Sequence, residues 1–433
     1  MVKENTMILA QDRYYSLDCM ETRRNNNVLV VGAAGTGKTR SIVTPNLLQA
    51  TGSYIVSDPK GNLYKKYGAY LKSKGYKVKC LDFVHPERST HYNCLKYIHS
   101  TQDIVKMATM LVYQRKVSSL QDPFWEEAAT MLLASLIGYL CENKNLAEKE
   151  RNLHSVLKLL RVGRRGADNN AEKTTLERIM EEFGRRQRES WAYEQFQNAN
   201  VAANRTFDSI LITLTAKMGI FDTKELQKMM QDDELQIADI GKEKTALFVV
   251  VSDTDRSMDT LANLFFTQAI NELCLYADEH CADNCLPVPV RFILDDFATN
   301  CKIEEFPRMI ASIRSRGIST MLMIQAESQL TEGYGHDGRT IIGNCDTYVY
   351  LGGNDLDTAK AVAERCDLPY TKILNMPVGS NWIFRRGEEP VYGYNLELSS
   401  FMQEMGVEES NGVEQPIEAQ DASDLEWMNI PCA

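Results

Sequence analysis

No apolar run in the 433-residue chain reaches membrane-spanning length. Residues 128–141 (AATMLLASLIGYLC) fall well short of the roughly 20 residues a spanning helix needs, and Glu126, Glu127 and Glu142 bracket them, so the run is read as a core helix. The opening MVKENTMILAQDRYY has no apolar core of signal-peptide length, and nothing in it marks the chain for export. Paired cysteines are missing as well. The eleven cysteines are scattered singly, which fits a reducing compartment and thiols that act as small apolar groups. His280, Cys281 and Cys285 cluster, with Cys274 before them and Cys301 after. A zinc site wants a second closely spaced pair, which is absent.

Basic residues are absent after Arg386, where eleven acids follow. Taking those from the 59 acids leaves 48 acids against 48 bases in residues 1–386, so the net charge of -11 belongs to the C-terminal stretch and the body is neutral. A nucleic-acid partner is therefore not excluded. Residues 149–188 carry eleven bases and six acids, including Arg161, Arg164 and Arg165 and the run Arg185, Arg186, Arg188. This is either a solvated helical face or a contact surface. With 44% hydrophobic and 9% aromatic residues the chain has the composition of a folded protein.

From Asn25 onward, short apolar runs alternate with longer amphipathic ones, the pattern of a parallel sheet with crossover helices. Strands are predicted at 28–31, 53–57 and 77–81, and helices at 38–49 and 63–74. From about 101 to 240 the pattern is almost wholly helical in period, which predicts an all-α block inserted into an α/β domain. Strand patterns resume at 245–252, 292–294, 319–324 and 347–351, with a helix at 258–278, and 382–385 with 391–394 predicts an edge hairpin. The expected organisation is an N-terminal segment (1–24), a discontinuous nucleotide-binding domain (25–100 and 241–400), the all-α insertion (101–240) and a mobile acidic tail (401–433). Within the tail, 425–428 suggests a short recognition element. No internal repeat is visible.

Directly after the first strand stand Gly32, Ala33, Ala34, Gly35, Thr36, Gly37, Lys38 and Thr39, which satisfy G-x-x-x-x-G-K-[ST] in a strand-to-helix context. Glycines let backbone amides turn toward phosphate oxygens, the helix adds the positive end of its dipole, Lys38 reaches the β and γ phosphates, and the Thr39 hydroxyl ligates Mg2+. Such a site needs a carboxylate on a neighbouring buried strand. In RFILDDFATN, Asp295 is the expected Mg2+ partner, and Asp296 takes the position where a glutamate would activate water, one methylene shorter. Gln325, ending STMLMIQ, is either a γ-phosphate sensor or a plain strand-end amide. Arg314 and Arg316 are candidates for a finger reaching a neighbouring subunit's nucleotide, against the general preference of helix C-termini for cations.

On NVLVVGAAGTGKT, YIVSDPKGNL, DPFWEEAATMLLASLIGYL, FILDDFATN and RSRGISTMLMIQAESQL, the chain resembles the type IV secretion coupling proteins, the TraG/TraD-like conjugal transfer ATPases, over most of residues 17–400. The resemblance implies a RecA-like P-loop fold, ATP and Mg2+ as cofactors, and a homo-hexameric ring that drives relaxase-bound single-stranded DNA into a type IV secretion channel. It also implies a place on the cytoplasmic side of the bacterial plasma membrane, and it gives relaxase recognition to the all-α insertion. By position, Gly32 to Thr39 bind nucleotide, Asp295 and Asp296 form the metal and water-activating pair, and Gln325 is the third-motif glutamine. Asp58 and Lys60 lie in a segment resembling the family's DPKGE, with Asn62 where an acid is common. Family members normally begin with transmembrane helices, so a truncation, a soluble variant or a chain anchored by another protein is expected. Two rival readings stand beside the motor: a nucleotide-locked docking platform, and a chromosome-segregation translocase of the FtsK kind, against which the large insertion argues.

Overall fold

The structure is a computed structural model that describes residues 5–113, 123–164, 173–200, 204–297, 302–303 and 305–407. Eleven described strands are β1 (Thr6–Ala10), β2 (Arg13–Ser16), β3 (Val28–Val31), β4 (Ser53–Ser57), β5 (Lys77–Asp82), β6 (Thr245–Val250), β7 (Val290–Leu294), β8 (Ile318–Ile324), β9 (Thr347–Tyr350), β10 (Ser380–Arg385) and β11 (Val391–Tyr394). Nine of them form one sheet in the order β11-β10-β9-β3-β8-β7-β4-β6-β5. Pairing is parallel from β9 across to β5, and β10 and β11, the two strands beyond β9, join antiparallel. The fold is thus α/β with a mainly parallel sheet, and each α/β strand foreseen from sequence lies in it.

Residues of β3, β4, β6, β7 and β9 are buried along their whole length, as apolar runs covered on both faces must be. Alternate residues serve opposite faces: Leu29 and Val31 join one apolar cluster, Val28 and Val30 the other. The insertion leaves after β5 and returns at β6, and these two strands are neighbours. Its helices Thr101–Val112, Pro123–Glu142, Leu153–Val162, Thr175–Arg186, Trp191–Ala199, Asn204–Met218 and Lys224–Met229 match the helical period read from the sequence. Leu132, Leu136 and Leu214 of these helices share one buried cluster with Leu29, Val31 and Phe292 of the sheet. The insertion is therefore packed into the core rather than hung on a linker. Side-chain caps start several of its helices, with reciprocal Ser100–Asp103 and Thr174–Glu177 boxes among them.

Three features depart from the sequence reading. The segment 1–24 contains the β1–β2 hairpin, fully buried along β1. Asn46 fastens it: its Oδ1 accepts from Ile8 N at 3.0 Å and its Nδ2 donates to Ile8 O and to Ile42 O, each at 2.7 Å. The helix expected at 38–49 begins as a π-helical turn, Lys38–Val43, and becomes α only at Thr44–Leu48. The boundary placed at 401 falls inside a helix, Leu398–Met405, whose Leu398, Phe401 and Met402 are buried. The acidic stretch from 408, with its element at 425–428, lies outside the described residues.

Three bases of the basic stretch are paired with acids at short range: Arg161 with Asp222, Lys173 with Glu181, and Arg186 with Glu182. Among the described residues no group of three His, Cys, Asp or Glu side chains could hold a metal ion; Cys301 lies outside them. No described helix is long and apolar enough to cross a membrane.

Candidate functional site

The site lies at the carboxyl edge of the parallel strands, where this topology gathers loops from β3, β4, β7 and β8. After β3 the chain cannot continue straight. Gly32 N donates to Ile324 O of β8 at 3.1 Å and Ala33 N to Gly352 O at 3.0 Å, so the loop is pinned at its start. Gly35 and Gly37 have φ of 80° and 91°, a backbone that side chains oppose. The Thr36 hydroxyl donates to Ala33 O at 2.8 Å and closes the turn.

Lys38 opens the π-helical turn and is buried. Its Nζ donates back to Gly32 O at 2.5 Å and Ala33 O at 3.2 Å, which holds the ammonium over the loop mouth. Burial pushes its pKa down, while Asp295 and Asp296 pull it up. Thr39 Oγ1 donates to Asp295 Oδ2 at 2.8 Å, joining groups 256 positions apart. Burial raises the Asp295 carboxyl; the Thr39 bond lowers it, Asp296 raises it further and Lys38 lowers it. Asp296 N donates to Asp295 Oδ1 at 3.1 Å, and Asp296 itself has φ of 50°.

On β4, next to β7, Ser57 Oγ lies 3.4 Å from Asp295 O. Asp58 follows it, buried, and its Oδ2 accepts from Tyr64 N at 2.9 Å. Burial raises this carboxyl to about 6 against the donation of backbone amides between Lys60 and Tyr64. Asp58 thus shapes the loop that carries Lys60, whose Nζ lies 3.3 Å from Asp253 Oδ2. Gln325 follows β8, between β3 and β7, and its backbone N donates to Gln329 Oε1 at 2.7 Å. Ala34, Gly35, Lys38 and Thr39 of the loop border one cleft of about 1170 Å3 together with Asp58, Lys60, Asp295, Asp296 and Gln325.

Arg316 is not brought there. It precedes β8, at the opposite edge of the sheet from Gln325, and its Nε and Nη2 bind Asp278 Oδ1 and Oδ2 at 2.8 and 2.6 Å. Arg314 Nη2 donates to Cys19 O at 3.3 Å on the same side. Sequence reasoning missed the far wall of the cleft. Leu398, Met402 and Val407 border it, and Asn395 Nδ2 donates to Thr36 O at 3.1 Å, while Asn381 Nδ2 donates to Asn395 Oδ1 at 3.0 Å. A polar residue after a short edge strand reads as loop, so no sequence pattern marked Asn395.

The donor set fits a polyphosphate with a hard divalent cation: positive-φ glycines, a buried ammonium, and a hydroxyl and a carboxylate converging within 2.8 Å. Fold and site together define a P-loop protein of the RecA-like class with an all-α insertion. The model of the type IV secretory system conjugative DNA transfer family matches residues 1–367, and the chain belongs to that family of coupling proteins. It is 20% identical to the type IV secretion system-coupling protein VirD4 of Bartonella henselae over 356 residues, covering 79% of this chain and 53% of that protein. Identity to VirD4 of Rhizobium radiobacter is 25%, over 78% of this chain and 48% of the relative. The chain spans about half the length of these relatives. Plasmid coupling protein TrwB, solved with the ATP analogue ADPNP, superposes with a TM-score of 0.64 over 92% of this chain and 90% of that one, at 15% identity, a likeness of fold. TrwB has also been solved with ADP and Mg2+, at a TM-score of 0.63 and 16% identity over the same shares.

Proposed function

We propose that the chain is an ATP-hydrolysing coupling protein that recruits a relaxase–DNA complex and drives single-stranded DNA into a type IV secretion channel. The observation that carries the reading is the 2.8 Å contact of Thr39 with Asp295 beside buried Lys38, a cation and phosphate site built from β3 and β7. Membership of a type IV secretory system conjugative DNA transfer family supports DNA as the cargo. In this reading the amides of the loop hold the phosphates and Lys38 balances their charge. Thr39 and Asp295 hold Mg2+, which supplies charge neutralisation on the phosphoryl oxygens. Asp296 orients and deprotonates the attacking water, and Gln325 senses the γ phosphate from the strand between. Arg316, on the opposite edge from its own cleft, serves a neighbouring copy in a homo-hexamer after leaving Asp278. The insertion contacts the relaxase, and the assembly works on the cytoplasmic side of the plasma membrane.

The shorter acid at Asp296 favours one second reading, a weakly hydrolysing platform on which nucleotide only locks the ring. The proposal is tested by Mg2+-dependent ATP hydrolysis with and without single-stranded DNA. The expected rate rises with DNA and falls at least about 100-fold in Lys38→Ala. Hydrolysis indifferent to both DNA and Lys38 sinks the reading.

A further inference from the structure

We infer that Tyr334 is a positioning residue for ATP hydrolysis: from the end of the helix that follows Gln325 it grips the chain just beyond Asp296, and so holds the water-activating acid and the γ-phosphate sensor as one unit. The inference rests on the hydrolysis reading above and adds a residue which that reading does not use. Tyr334 does not border the cleft, so its part is played through Asp296.

The grip has two points. The Tyr334 ring stacks on Phe297, the residue after Asp296, with centroids 5.7 Å apart and planes 17° from parallel. Its hydroxyl accepts from Ile303 N at 3.1 Å and donates to Ile303 O at 3.2 Å, so one phenol serves both main-chain groups of a residue that lies in no strand or helix. Phe297 is fully buried, its N donates to Met323 O of β8 at 2.9 Å, and its ring also meets Phe306 at 4.8 Å. With Asp296 N bonded to Asp295 Oδ1 on one side and Phe297 anchored on the other, the backbone of Asp296 is fixed at both ends. The link from β8 is tied as well. Gln325 N donates to Gln329 Oε1 at 2.7 Å, Glu327 N donates to Thr358 Oγ1 at 3.1 Å, and the Glu327 carboxylate meets Arg365 at 3.4 Å. Helix Ser328–Tyr334 starts from this link, buries Leu330 and ends on Tyr334. Strands β7 and β8 already pair as neighbours, and Tyr334 joins the segments that follow them.

A tyrosine against a phenylalanine is ordinary packing unless its loss acts through the acid. Tyr334→Phe keeps the ring on Phe297 and removes both bonds to Ile303. In the full chain kcat for Mg2+-ATP is expected to fall about tenfold, with the ATP Kd within about twofold of wild type. In an Asp296→Asn background, read by single turnover of radiolabelled ATP, the same change is expected to cost less than about twofold, because Tyr334 then has no acid to place. A loss of equal size in both backgrounds overturns the inference, as does an unchanged kcat or a loss confined to ATP binding. Hydrogen exchange of the wild-type chain is the second arm. Its Ile303 amide is expected to exchange at least about tenfold more slowly than an unbonded loop amide, and an unprotected amide overturns the grip. A wild-type chain that does not hydrolyse ATP, or whose rate survives Asp296→Asn, removes the hydrolysis reading itself, whereas hydrolysis that needs Asp296 but is indifferent to Tyr334→Phe removes the positioning role alone.

Discussion

Asp296 has φ of 50°, a backbone region in which aspartate and asparagine are several-fold enriched among residues other than glycine. That turns the missing methylene into a consequence of local backbone: the chain bends immediately after Asp295, so that Phe297 N returns to Met323 O at 2.9 Å, and a short carboxylate suits the bend. In Asp296→Glu the strain and the extra reach oppose each other, and ATP turnover is expected to change less than about threefold; a large gain in steady-state hydrolysis points instead to the platform. Asp58 gives a prediction in pH. Its carboxyl is raised to about 6 from 3.8, so the folded state binds the extra proton between those values, and the contribution to stability falls as pH rises from about 4 to about 6 and is level above. Asp58→Asn keeps an acceptor for Tyr64 N with no charge to desolvate. It is expected to flatten that slope and to add about 1–3 kcal/mol at pH 7.5 relative to pH 4.5, as read from urea midpoints; an unchanged slope contradicts the assignment.

The elements that sequence makes legible are those whose burial is total or whose motif is rigid. Strands β3, β4, β7 and β8 are apolar runs ending in polar motifs, and the segments after them carry Thr39, Asp58, Asp295 and Gln325 to one edge. The β1–β2 hairpin was not legible. TMILA is five residues long, lacks alternation because β1 is buried throughout, and turns through Gln11 and Asp12 with positive φ at Asp12 rather than through an Asn-Gly pair. What secures it is tertiary, with the two hydrogen bonds between Asn46 and Ile8 among the ties. Asn46→Leu strands the amide and carbonyl of Ile8 and is expected to cost about 2–4 kcal/mol in chemical denaturation. A loss under 0.5 kcal/mol, of the size usual for surface changes, contradicts that account. The same limit explains the C-terminal wall: Leu398–Met405 reads as the start of a polar tail, and only its packing on the helices after β3 and β4 shows it to be part of the cleft.

Across the whole molecule, sheet and insertion share one apolar core, to which Leu132 of the insertion and Leu29 of the sheet both belong. Under the proposed function, that continuity would couple cargo on the helical block to events at the sheet's carboxyl edge. Arg316 enters the proposed function only at this scale: bound to Asp278 and not among the residues bordering its own cleft, it would serve catalysis only in the proposed ring. The central claim is that nucleotide hydrolysis moves DNA, and displacement of streptavidin from an end-biotinylated single strand measures it most directly. With Mg2+ and ATP the wild-type chain is expected to strip streptavidin from the strand, and neither a non-hydrolysable ATP analogue nor Lys38→Ala is expected to support it. Displacement that proceeds equally with the analogue, or none at all from a DNA-bound ring that hydrolyses ATP, contradicts the account.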